Sequence, residues 1–300
     1  MDRRTFVKAA IGGAALGRSG FGQTPAGKIT STRLGDNLFS FVGAGANVIA
    51  MTGADGVVMV DGGLAERSAE LLAAVASLPG SGAVRTLFNT HWHAEQTGSN
   101  LTLGKAGATI IAHENTRLWL TTDITRPWEK KTFQPMAKEG LPNKTFYTTG
   151  SLNANGEKIE YGYLLQAHTD GDIYVFFPKS NVLAVGGIVS NGEWALVDWW
   201  TGGWIGGLVT GVETLLKMGD ANTRIVPAIG PIMSRAELQA QHEMYRTVST
   251  RLQQLIRKGK SPDEAIAAEP TKEFNDRMGN PEMFVRLAFQ SLWGQMSPDA

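Results

Sequence analysis

The chain has 300 residues, 28 Lys plus Arg against 28 Asp plus Glu, five His and no Cys, and 42% of it is apolar. That composition is globular rather than disordered, and the length suffices for one large domain or two small ones. The absence of Cys excludes disulfides, thiol catalysis, iron–sulfur clusters and thiolate zinc sites, and the balanced charge argues against a broad nucleic-acid footprint.

The first 22 residues read as an address. Arg3-Arg4 and Lys8 precede a weakly apolar run from Ala9 to Leu16, far short of the ~20 residues that span a bilayer. The segment resembles a twin-arginine export signal, with Asp2 where Ser or Thr usually stands and a small-x-small cleavage site at Gly20-Phe21-Gly22. The expectation is a protein exported already folded to the periplasm or beyond, with no stable membrane insertion after cleavage. Cleavage would remove four basic side chains and one acidic, taking the net charge from zero to −3.

Strand and helix patterns alternate through the mature part. Short strands are expected at 38–42 and 46–51. A continuous apolar strand at 57–60 follows the Asp55-Gly56 turn and ends at Asp61-Gly62-Gly63. A helix pattern at 65–78 closes on Pro79-Gly80, and a strand at 84–89 runs into Thr90-His91-Trp92-His93. A strand at 109–112 leads into His113 and a helix at 114–121. Residues 123–150 form a polar, proline-bearing excursion, a lid or dimer contact whose Arg126, Lys130 and Lys131 meet either an acidic substrate or solvent. A strand at 158–165, a hairpin of 173–177 and 181–185, a Gly- and Trp-rich stretch at 186–204, a helix at 205–218 and a last strand at 224–226 follow. Capping boxes at Ser234 and Ser261, and Pro281 at a first helical position, open three carboxyl-terminal helices. The expected organisation is a signal at 1–22, one α/β domain over 23–260 and a helical extension, 261–300, packed on it.

The histidines carry the chemistry. On locally extended chain, His91 and His93 point the same way, so both imidazoles can reach one ion. His168, after the 158–165 strand, offers a third. Three imidazoles and a water make an open catalytic zinc arrangement. Without Cys, any metal site falls to His and carboxylate.

The run Thr90-His91-Trp92-His93-Ala94-Glu95-Gln96-Thr97-Gly98-Ser99-Asn100 resembles the His-x-His-x-Asp-His loop of the metallo-β-lactamase superfamily. Val60-Asp61-Gly62-Gly63 upstream, Ala167-His168-Thr169-Asp170-Gly171-Asp172 downstream, a hairpin and Val226-Pro227-Ala228-Ile229-Gly230-Pro231 follow in the family's order. The resemblance covers about residues 29–260. It implies an α/β fold, a four-layer αββα sandwich with the metal site along the sheet edges, and hydrolysis of lactams, lactones, thioesters or phosphate esters. It also implies a first metal site of His91, His93 and His168. At the family's second-site places stand Glu95, Gln96, Gly187 and Ile229. Gln96 is a weak ligand, and Gly187 and Ile229 offer no side-chain ligand, so a tight second metal is not expected.

Two functions follow. The first is a one-zinc hydrolase of a small ester, lactone or lactam, with Glu95 orienting or deprotonating the water and Asp61 supporting the His loop. The second is a degenerate member that binds a ligand or metal without turnover; the sparing of all three His speaks against it. A homodimer is compatible with either. Trp194, Trp199, Trp200 and Trp204 form an apolar pocket wall or ordinary packing. Trp92 is expected to point away from the ligands, His113 to lie outside the motif, and His242 to face solvent.

Overall fold

The computed structural model describes residues 27–296; residues 1–22, expected to be an export signal, lie outside them. Strand Val57–Val60 (β4) shows why the fold is layered. All four of its side chains are buried. Val58 and Val60 enter one core and Val57 and Met59 another, the alternation of a strand covered on both faces.

Thr30–Arg33 (β1), Leu38–Val42 (β2) and Val48–Met51 (β3) add to β4 as an antiparallel meander. Val84–Phe88 (β5), Thr109–His113 (β6) and Lys144–Phe146 (β9) extend the sheet on its other side in parallel. Ile124–Arg126 (β7) and Lys131–Phe133 (β8) form a separate antiparallel hairpin between β6 and β9. The second sheet runs in sequence order through Thr149–Ala154 (β10), Glu157–Tyr163 (β11), Ile173–Phe177 (β12), Val182–Ser190 (β13) and Arg224–Ile229 (β14). Only its β13–β14 pair is parallel.

The sheets face each other across one core, in which Leu38, Ile49, Val60 and Phe88 meet Ile159, Val175, Phe177 and Val182. The outer face of the first sheet packs on helix Ser68–Ala76 through Leu71 and Val75. The second sheet's outer face packs on Ile205–Leu215, Arg235–Arg257 and Glu282–Met296. This is the αββα sandwich that the resemblance implied, with carboxyl-terminal helices in its last layer. Both capping boxes form, at Ser234 with Glu237 and at Ser261 with Glu264. Among the described residues no helix is long and apolar enough to cross a membrane.

Several segments differ from the sequence expectation. Residues 123–150 are not a detached excursion, since they hold the β7–β8 hairpin and contribute β9 to the first sheet. β10 was not expected; Asn155 and Gly156, at φ 52° and 75°, turn it tightly into β11. β13 continues past Gly186-Gly187 to Ser190, with irregular register against β14. β14 passes through Pro227, which its place at the sheet's edge allows.

Candidate metal centre

The site grows from the ends of adjacent strands. Val60 of β4 lies in register with Phe88 of β5, so the residues following each strand emerge side by side. Asp61, the first after β4, is buried and holds a left-handed backbone at φ 64°. Its carboxylate accepts the Thr90 backbone N–H and the Thr90 hydroxyl, both at 2.8 Å. With that hydroxyl hydrogen spent, Thr90 Oγ1 is left to accept from His91 Nδ1, 3.1 Å away. Asp61 thus contacts the His loop through Thr90. Burial raises its pKa to about 8, against the lowering effect of the two Thr90 hydrogen bonds.

The other two histidines are held in the same manner. His168 Nδ1 donates to the Leu196 carbonyl at 2.6 Å. His93 Nε2 meets Asp198 Oδ2 at 2.8 Å. Each imidazole therefore has one nitrogen committed as an N–H, and His91 Nε2, His93 Nδ1 and His168 Nε2 keep their lone pairs. The three residues are all buried, and their ligand atoms lie within 4.8 Å of one another. His93 Nδ1 and His168 Nε2 are 3.2 Å apart; two lone pairs at that distance repel unless a cation lies between them. Burial keeps the rings neutral, holding His91 and His93 well below the usual imidazole range and His168 at about 4. Neutral, converged and oriented imidazoles are a donor set that fits one metal ion.

Asp198 is the site residue that the sequence did not reveal. It is fully buried, its carboxylate accepts the Thr201 N–H and meets His93, and its backbone N–H donates to the His168 carbonyl at 3.0 Å. Thr201 Oγ1 in turn accepts from Trp92 Nε1 at 3.0 Å. This clamps the 90–93 loop to the 198–201 turn; the Trp92 ring, expected to point away from the histidines, instead packs edge-on against His93 with ring centroids 4.6 Å apart. No motif marks Asp198: it stands thirty residues beyond His168, in a segment whose other landmarks are tryptophans.

An open cleft lies over the cluster. Besides the three His, Glu95, Gln96, Arg126, Ser190, Glu193 and Trp194 shape it. Glu95 is half-buried, and burial raises its pKa above the usual carboxylate range. Gly187 and Ile229 also line the cleft and contribute no ligand. A Cβ at Gly187 would meet His168 Cδ2 and Nε2 at 2.5 and 2.6 Å. The imidazole occupies the space that a side chain at 187 would need.

The tryptophan wall is mostly packing. Trp194 alone of the four lines the cleft. Trp199 and Trp204 pack against the helical core, and Trp200 is exposed. His113 stacks on Tyr163 away from the cluster, with ring centroids 3.9 Å apart. His242, expected at the solvent, is buried instead. Its helix, Arg235–Arg257, lies against Ile205–Leu215, so the ring faces Glu213 and Glu243 at 3.4 and 3.7 Å.

The strands and loops that build this site fall within residues 42–238, which match the sequence model of the metallo-beta-lactamase superfamily. The chain belongs to that superfamily. Its structure is similar to the metallo-beta-lactamase from Pontibacter korlensis, with a TM-score of 0.59 and 17% identity over 73% of this chain and 99% of that one. It is similar to the DIM-1 metallo-beta-lactamase, with a TM-score of 0.58 and 18% identity over 74% and 99%. The stereoselective inverting sec-alkylsulfatase Pisa1 from Pseudomonas sp. is also similar, with a TM-score of 0.66 and 17% identity over 87% of this chain and 50% of that one. No curated protein matches the chain. At these identities the likeness is one of fold.

Proposed function

We propose that this protein is a one-zinc hydrolase of small ester, lactone or lactam substrates, working in the periplasm or outside the cell. The observation that carries the reading is the convergence of three neutral imidazoles whose second nitrogens are each held by a neighbour. His91, His93 and His168 would hold the ion. Zinc, when bound, supplies Lewis-acid activation of water, lowering its pKa from about 15.7 toward ~7.

The chain's own residues do the rest. Glu95 lies in the cleft with a raised proton affinity, which suits a carboxylate that takes a proton from water and passes it to the leaving group. Asp198 and Asp61 do not line that cleft; they keep His93 and His91 in the ligating tautomer. The Arg3-Arg4 segment supports export of the folded chain.

Zinc per chain on the purified protein is the direct test, with His168→Ala as control. The expected result is close to one zinc for the wild type and a large loss in the variant. Zinc near zero in both would overturn the reading. One zinc without hydrolysis across lactam, lactone, thioester and phosphodiester panels would identify a non-catalytic binder, the reading that the ligand-free Gly187 and Ile229 favour.

A further inference from the structure

Arg126 ends β7, and its side chain is 4% exposed, yet it lines the cleft beside His91, His93, Glu95 and His168. It is the one Lys or Arg among the described lining residues. Its guanidinium lies over the Phe133 ring at 4.4 Å and 5.4 Å from the centroid of Trp92. These contacts hold it on an anchored hairpin: Trp92, Leu120 and Ile124 form a small core there, with Phe133 and Met136 packed on it. A charge taken out of water needs full pairing, and this one lacks it. Among the described residues its one ion pair is to Glu129, at 3.2 Å through a single nitrogen, and its buried Nε has no acceptor.

A purely structural arginine in that position would be expected to have its five donors met. An arginine stacked and half-paired beside a hydrolytic cleft has donors left for a guest. The two acids of the cleft do not take that role: neither Glu95 nor Glu193 forms an ion pair with it. Arg126 is therefore the one cationic side chain that the cleft's described lining offers a guest.

We propose that Arg126 is a substrate-binding residue that seats an oxyanion group of the substrate, a carboxylate, sulfate or phosphate, beside the His91–His93–His168 cluster. The proposal rests on the one-metal reading of the cleft and narrows its substrates to anionic ones. Guanidinium edges match such oxygens in pairs, which lysine cannot do.

The test is calorimetric titration of the zinc-loaded full chain with benzoate, sulfate and inorganic phosphate. The ranking of the three assigns the group. Arg126→Met should weaken the preferred anion by about ten- to a hundredfold, and Arg126→Lys should recover part of the loss. Glu129→Gln frees the paired nitrogen and should tighten binding severalfold. Zinc content, measured on every sample, separates the two levels of the argument. Zinc near zero in the wild type overturns the one-metal reading, whereas anion binding that depends on Arg126 in the same metal-free chain still supports the seat. No wild-type binding tighter than ~1 mM, or equal binding by wild type and Arg126→Met, overturns the proposal. Should Arg126→Met fail to fold, unchanged affinity in both Arg126→Lys and Glu129→Gln overturns it equally.

Discussion

His91 and His93 each depend on a buried carboxylate, Asp61 through Thr90 and Asp198 directly, that does not itself line the cleft, whereas His168 is held by the carbonyl of Leu196, a lining residue. Asp198 is the most demanding of these partners, because it is a buried carboxylate committed to a single imidazole. A carboxylate on the far nitrogen raises a ring's basicity and fixes its tautomer, and losing such a partner typically costs ten- to a hundredfold in metal affinity. Asp198→Asn keeps the shape and removes the charge, so zinc affinity measured by chelator competition should fall by about that factor. An unchanged affinity would show that Asp198 serves only the turn at 198–201. The three histidines were legible in the sequence because a His-x-His pair and a third His after a strand carry their own spacing. Asp61 was legible as well, standing where a buried apolar strand abruptly ends in a charge. Asp198 was not, because its role is created by the fold: the 198–201 turn meets the 90–93 loop across more than a hundred residues of chain. Arg126 shows part of the same limit, since its sequence context left it between an acidic substrate and solvent, and only the hairpin's packing makes it a cleft residue.

At the scale of elements, the strands with strong apolar signals were readable to within a residue or two, β4 and β12 among them. Those ruled by glycine or by pairing were not. β13 is fully buried over nine residues, and its second half is carried by Gly186-Gly187 and by its pairing with β14 rather than by propensity. That half positions Gly187 against His168, which gives the missing second-site ligand a physical reason. Restoring a carboxylate there should not create a second metal site. In Gly187→Asp the new Cβ would lie 2.6 Å from His168 Nε2, so the imidazole must move. The expected outcome is loss of the first zinc by about tenfold or more in affinity, with no gain in stoichiometry. Two zinc ions per chain in that variant would show that the ring yields and that the second site is absent only for want of a ligand.

For the molecule as a whole, residues 261–296 are either an addition to the sandwich or part of it. The packing argues for the second. Trp194, a wall of the cleft, stacks on Phe284 with ring centroids 4.5 Å apart, and its Nε1 donates to the Gly279 carbonyl at 3.1 Å. Tyr245 also stacks near Phe284, with ring centroids 6.2 Å apart, and donates its hydroxyl to the Ile188 carbonyl in β13. The final helix is therefore buried in the same core as the strand that carries Gly187. Truncating a buried phenylalanine costs about 3–5 kcal/mol, a large share of the roughly 5–15 kcal/mol that holds a domain folded. Phe284→Ala should lower the denaturation midpoint accordingly and weaken zinc binding through Trp194. Unfolding followed by tryptophan fluorescence and by circular dichroism should then remain a single coincident transition. Two separated transitions, with zinc retained after the first, would instead make the carboxyl-terminal helices an independent unit laid over a self-sufficient metal-binding domain.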